Sequence, residues 1–203
     1  MKMNAYISSE EALNAFRSSV ESYLGTSSIY YEELCKRLVL KFIPKGEIFV
    51  SEGQVCNYFY FLASGFCFRY YVRDGKEFIT DFFEEGEFAF ISHSFFARRN
   101  SLFNMRTSEN CTFLVLGYTD FLTLFKDFPD FRELLFQVFL QRFIRQECIE
   151  PIFRCYTAKE RILYFYRSHQ IQHWIQHIPQ YRIASRLNMT PEVFAKIWGQ
   201  LRE

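Results

Sequence analysis

No two cysteines in this chain are spaced as CxxC or CxxxC. The six, Cys35, Cys56, Cys67, Cys111, Cys148 and Cys155, are scattered over 203 residues, which argues against a disulfide scaffold and against a thiolate zinc site. Histidine is scarce at four copies, and only His93 falls between residues 38 and 116. No apolar run approaches the ~20 residues of a membrane span, and the start, Met1-Lys2-Met3-Asn4, lacks the apolar stretch of a signal peptide. Neither sign of charge dominates: 24 Lys and Arg against 23 Asp and Glu leave +1, too little for a uniformly basic nucleic-acid coat. These absences point to a cytoplasmic protein with no membrane partner, no metal and no cofactor.

What the chain has is apolar surface. It is 49% hydrophobic and 23% charged, with 26 phenylalanines, enough for one compact domain or two small ones. Charge divides along it. Residues 1–156 hold 17 basic and 20 acidic residues, and residues 157–203 hold 7 and 3 together with three of the four histidines. A mildly acidic body with a basic tail suits a sensor joined to a nucleic-acid reader.

The body begins with a helical period over residues 8–34. Ser9 is placed to cap it, and Leu13, Phe16, Val20, Tyr23 and Leu24 share one face. From Leu38 to Leu116 the signal changes to short strands, with Gly46, Gly53, Gly65, Gly75 and Gly86 supplying turns at intervals of about ten residues. Asp74-Gly75 predicts a tight hairpin, and Phe66, Phe68, Tyr70 and Val72 alternate with Cys67, Arg69 and Tyr71. The region reads as a β-roll. After Gly117 a short helix follows at residues 120–125, and Pro129 suits the first turn of a longer one. Along residues 130–155 the apolar spacing is near-heptad, and such a helix is about 39 Å long. A small roll cannot cover that length, so Leu134, Leu135, Val138, Phe139 and Arg142 are expected to meet a second copy. Packing within its own chain is the alternative.

In the tail, Thr157-Ala158-Lys159-Glu160 has the arrangement of a capping box and predicts a helix to about Ser168. The stretch from His169 to His177 reads as a polar connecting loop; were it helical, His169, His173 and His177 would share a face able to hold a metal ion. From Pro179 to Trp198 the pattern is helix, tight turn, helix. Ile183, Ala184 and Leu187 make one apolar face, Asn188 suits the left-handed turn position, Thr190 caps the second helix and Pro191 takes its first position. Val193, Phe194 and Ile197 are expected inward, which leaves Glu192, Lys196 and Gln200 outward, where a helix-turn-helix meets the major groove. Spacing alone also fits any helical hairpin.

In this order the parts resemble the Crp/Fnr family of transcription regulators. The carriers are Phe42-Ile43-Pro44-Lys45-Gly46-Glu47-Ile48, Ser51-Glu52-Gly53, Tyr58 to Gly65, Gly75-Lys76-Glu77, Gly86-Glu87-Phe88, and Pro179 to Ile197. The resemblance implies an α+β chain: an N-terminal helix and double-stranded β-roll of the cyclic-nucleotide-binding type over 1–129, a long dimerisation helix over 130–156, and a helix-turn-helix domain over 157–203. It implies a homodimer that binds double-stranded DNA and has no enzymatic activity. Arg182 and Arg186 would meet backbone phosphates, Thr190 would belong to the DNA-binding surface, and Glu192, Lys196 and Gln200 would lie in the groove.

The departures matter as much. Where cyclic-AMP-binding members place the ribose Glu, this chain has Ala89-Phe90-Ile91, and the phosphate Arg falls near Ser101-Leu102-Phe103; Arg98, Arg99 and Arg106 stand nearby without the matching neighbours. A response to cyclic AMP is therefore not expected. Cys35 and Cys56 are too far apart for the family's iron–sulfur pattern, and the lone His93 argues against haem and against a cupin-type metal enzyme. Phe78, Phe82, Phe88 and Phe90, with Arg106, crowd the place of the family's effector. They form either a pocket for a small apolar effector or a pocket already filled with side chains. Pro191, where relatives often carry Arg, and the end of the chain at Glu203, before any wing, keep open a second function: a ligand-independent module that binds a protein partner and has weak DNA specificity.

Overall fold

The cap expected at Ser9 forms one residue earlier, as a capping box at Ser8. Ser8 Oγ accepts from the Glu11 amide at 3.2 Å and the Glu11 carboxylate accepts from the Ser8 amide at 2.8 Å. These bonds come from a computed structural model, which describes residues 6–24 and 30–201. The helix they open, α1 (Ser9–Leu24), buries Ala12, Phe16 and Val20, and α2 (Tyr30–Arg37) follows it. Residues 25–29, within the expected helical stretch 8–34, lie outside the described residues.

Eight strands come next among the described residues: β1 (Val39–Ile43), β2 (Ile48–Val50), β3 (Tyr58–Ser64), β4 (Cys67–Arg73), β5 (Lys76–Phe83), β6 (Phe88–Ala89), β7 (Asn104–Thr107) and β8 (Cys111–Gly117), with a short helix α3 (Ser92–Ala97) between β6 and β7. They form two four-stranded sheets, ordered β1-β8-β3-β6 and β2-β7-β4-β5. The expected β-roll is present. In the first sheet β8 is antiparallel to β1, with Lys41 opposite Phe113, and to β3, with Phe61 opposite Leu114. Asp74 and Gly75 both take positive φ, 53° and 72°, as a two-residue hairpin turn between right-twisted strands requires. Gly65 is fixed by space as well as by its φ of 106°: a Cβ there would lie 2.7 Å from the Asn110 carbonyl oxygen and from Cys111 Sγ.

The chain then forms α4 (Tyr118–Asp127), the long α5 (Pro129–Cys155), α6 (Ala158–Arg167), α7 (Gln170–His177), α8 (Gln180–Arg186) and α9 (Pro191–Gln200). It divides into two compact units. The first, residues 1–69 and 82–141, holds the roll and the first half of α5. Its core is phenylalanine laid on phenylalanine: Phe59 has Phe88, Phe90, Phe95 and Phe121 within 5.8 Å, and Phe16 of α1 meets Phe61 edge-on at 5.0 Å. Each fully buried ring contributes roughly 1.5–3 kcal/mol. The second unit, residues 70–81 and 142–203, groups the tip of the β4–β5 hairpin with the C-terminal helices. Its core is built from Ile162, Phe165, Ile171, Trp174, Ile183, Leu187 and Phe194.

The segment 170–177 is helix, not loop, and only His169 stays outside it. Ile171, Trp174 and Ile178 recur at helical spacing and are all buried, which outweighs the polar residues between them.

Candidate nucleic-acid interface

The helix-turn-helix is fixed by local chemistry. Thr157 and Glu160 close the expected capping box at the start of α6, and hydrogen bonds from the Thr157 amide and hydroxyl hold the Glu160 carboxyl below its usual range. α8 ends in a Schellman motif. The Met189 amide donates to the Ala184 carbonyl and the Asn188 amide to that of Ser185, both at 3.0 Å, while Asn188 takes φ 54°. Arg161 of α6 donates from Nη1 to the carbonyls of Leu187 (2.8 Å) and Asn188 (3.0 Å), a clamp on the turn that sequence spacing did not reveal. Thr190 then caps α9, accepting from the Val193 amide at 3.4 Å, with Pro191 at the first helical position.

α9 buries Phe194 and Trp198 and half-buries Ile197. Val193, expected inward, is 39% exposed; its place in the core is taken by Trp198, one turn beyond Phe194 and stacked on it with ring planes 15° apart. Glu192, Lys196 and Gln200 are all exposed, with Ala195 and Gly199 between them. Hydrogen bonding from Thr190 lowers the Glu192 carboxyl, so it stays an acceptor. The two arginines of α8 are engaged inside the unit. The Arg182 guanidinium lies 3.6 Å from the Glu77 carboxylate and its side chain is only 16% exposed, and Arg186 covers the Phe153 ring at 5.0 Å.

The aromatic residues expected at an effector site do not line one pocket. Phe82 is buried against Phe66, Phe88 and Phe90 are buried around Phe59, and Phe78 is 37% exposed and stacked on Tyr71. Alternation would put Phe78 and Phe82 on one face of β5, but Phe78 falls in the hairpin tip that belongs to the second unit, whereas Phe82, Phe88 and Phe90 belong to the first, where Phe88 and Phe90 are part of its core. Arg106 is half-buried on β7, opposite Ile48 of β2. Arg98, at the C-terminus of α3, holds the loop before β3 instead: Nη1 donates to the Cys56 carbonyl at 3.0 Å, Nη2 to Asn57, and the guanidinium covers Tyr118. At the first unit's centre, an apolar cavity lined by Phe59, Phe61, Phe88 and Leu134 measures about 10 Å³, room for one water at most.

The long helix uses its faces differently from the sequence reading. Leu134, Leu135 and Val138 are buried in the core of their own roll and Phe139 packs against it; Arg142 pairs with Asp81 at 3.3 Å. Leu134, Leu135 and Val138, expected to meet a second copy, are thus taken up within their own chain, and Phe139 and Arg142 are half-buried. The outward apolar residues of α5 are Phe136 (57% exposed), Leu140 (37%), Phe143 (61%) and Ile144 (49%). His173 and His177 lie one turn apart on α7, rings 4.6 Å from centre to centre, while His169 sits before the helix in a left-handed conformation. Among the described residues no three His, Cys, Asp or Glu side chains gather as metal ligands, and no helix is long and apolar enough to cross a membrane.

Comparison with known proteins agrees with this architecture. No curated protein matches the chain in sequence. Residues 40–128 match the cyclic nucleotide-binding domain. Among solved structures, FixK2 from Bradyrhizobium japonicum is 15% identical with a TM-score of 0.67, covering 81% of this chain and 84% of its own. The c-di-GMP-responsive global regulator CLP of Xanthomonas campestris is 16% identical with a TM-score of 0.64, over 84% of this chain and 89% of its own. The Thermus thermophilus catabolite activator protein is 16% identical with a TM-score of 0.56, over 91% and 86%. The roll over residues 40–128 thus matches the model of a cyclic nucleotide-binding domain, and the chain shares the fold of these solved structures.

Proposed function

We propose that this chain is a transcription regulator that binds double-stranded DNA as a homodimer in the cytoplasm, performs no catalysis, and does not respond to cyclic AMP. The observation that carries the reading is α9, capped by Thr190 and set by the Schellman turn, with Glu192, Lys196 and Gln200 on its outer face. Glu192 is suited to accept from a cytosine amino group, Lys196 to donate to guanine or to a phosphate, and exposed Val193 to meet a thymine methyl.

The dimer forms through the outward stripe of α5, Phe136, Leu140, Phe143 and Ile144, whose spacing of three and four residues is that of a helix seam. Two copies related by a two-fold axis would then read a palindromic site. The roll offers a cyclic nucleotide neither of its usual anchors: Ala89, Phe90 and Ile91 are fully buried, and Ser101 spends its hydroxyl on the Phe103 carbonyl at 2.6 Å.

Selection of genomic fragments by the purified protein, with affinity followed across a salt series, tests the reading. An enriched palindromic motif with a steep salt slope is expected. Sequence-blind binding alone would overturn specific regulation and leave the protein-partner module.

A further inference from the structure

We propose that the β4–β5 hairpin is a built-in competitor for DNA: Glu77 holds Arg182 in an ion pair that a DNA phosphate has to displace. The inference rests on the DNA-binding reading above and adds to it a restraint within the same chain.

β5 stands last in its sheet, so one row of its backbone groups has no neighbouring strand. A helix side chain satisfies part of that row. Ser185 Oγ accepts from the Ile79 amide at 3.0 Å and donates to the Glu77 carbonyl at 3.3 Å, so one hydroxyl of α8 bridges two edge groups of β5. One turn earlier on α8, Arg182 Nη2 reaches Glu77 Oε2 at 3.6 Å. Two residues beyond Ile79, Asp81 takes Arg142 of α5 at 3.3 Å. Positions 77, 79 and 81 share one side of the strand, and each is held by a helix of the same unit.

The chemistry makes Glu77 and a phosphate rivals. A guanidinium presents a planar fork that fits a carboxylate and a phosphate equally well, and it cannot lose its charge. Arg182 lies in the first turn of the helix that precedes the reader, where backbone phosphates are met. With Glu77 in place one arm of that fork faces the carboxylate at 3.6 Å and the side chain is largely covered. The pair is partly solvated, so it biases binding by a small factor and does not forbid it.

The test is equilibrium binding of a mixed-sequence DNA duplex across a salt series, since a phosphate contact needs no operator. Glu77→Gln should tighten binding roughly three- to fivefold. Ser185→Ala, which changes no charge, should also tighten it. Arg182→Ala should weaken binding and reduce the salt slope by about 0.9, one phosphate contact. In the Arg182→Ala background, Glu77→Gln should have no further effect. The proposal is overturned if Glu77→Gln leaves a salt-dependent wild-type affinity unchanged, or if it tightens binding equally with and without Arg182, which would be the mere loss of a negative charge. If the wild type and every variant fail to bind duplex DNA, the DNA-binding reading itself falls and takes the competitor with it.

Discussion

Arg161 Nη1 donates to the carbonyl oxygen of Leu187 at 2.8 Å, joining α6 to the turn between α8 and α9, 26 residues later. The last carbonyls of a helix have no partner within it, and here a fixed charge meets one of them beside the left-handed Asn188. Arg161→Ala should destabilise the C-terminal unit by about 1–3 kcal/mol. Arg161→Lys should recover only part of that, because an ammonium lacks the guanidinium fork. Urea unfolding followed by tryptophan fluorescence checks both.

The two faces of α5 should respond to mutation in opposite ways. Phe136→Glu together with Phe143→Glu puts charge on exposed positions and should give a folded monomer whose melting temperature no longer depends on protein concentration. Leu134→Ala opens space in the core of the roll and should cost about 2–5 kcal/mol without changing the oligomeric state. Analytical ultracentrifugation and thermal melts separate the two effects.

Thiol chemistry should report burial directly. Cys148 and Cys155 are exposed and should react with a disulfide reagent within the native state. Cys35 is half-buried, and burial raises its thiol, so it should follow more slowly. Cys56, Cys67 and Cys111 are buried and should react only on unfolding. A count of fast, slow and protected sulfurs by mass spectrometry checks the order.

Alkaline pH should weaken the fold. Burial pushes the Cys111 thiol from 9.0 up to about 12, and burial followed by the neighbouring Cys35 pushes the Tyr31 hydroxyl from 10.0 up to about 12. Both groups keep their protons longer in the folded chain than in the unfolded one. Their contribution is therefore complete below pH 9 and is lost as the pH rises towards 12. Melting temperatures should fall across that interval, and Cys111→Ala should make the fall shallower.

The sequence was most legible where one residue type answers one backbone need. Asp74-Gly75, Thr157 with Glu160, Asn188, and the prolines at 129 and 191 each mark a turn, a cap or a helix start that the fold places there. It was least legible where apolar residues occupy more than one face. Along α5 both Leu134 and Phe136 are apolar, and only the folded roll decides which side it covers. On α9 Val193 and Trp198 compete for the inner face in the same way, and the larger ring prevails because it fills the space beside Phe194 and Tyr166. The fate of Arg182 was hidden altogether, since its partner Glu77 lies 105 residues away in the chain.

Trp174 and Trp198 are the only tryptophans in the chain, and both lie in the C-terminal unit, 1% and 7% exposed. The roll, for all its rings, emits through tyrosine alone. Excitation at the red edge of the aromatic band is therefore a label already installed on the C-terminal unit. Quenching, lifetime or polarisation of that emission follows those helices without a contribution from the roll, while circular dichroism follows the whole chain. Coincident transitions by the two methods would mean that the units melt as one, and separated transitions that each can be prepared and studied by itself.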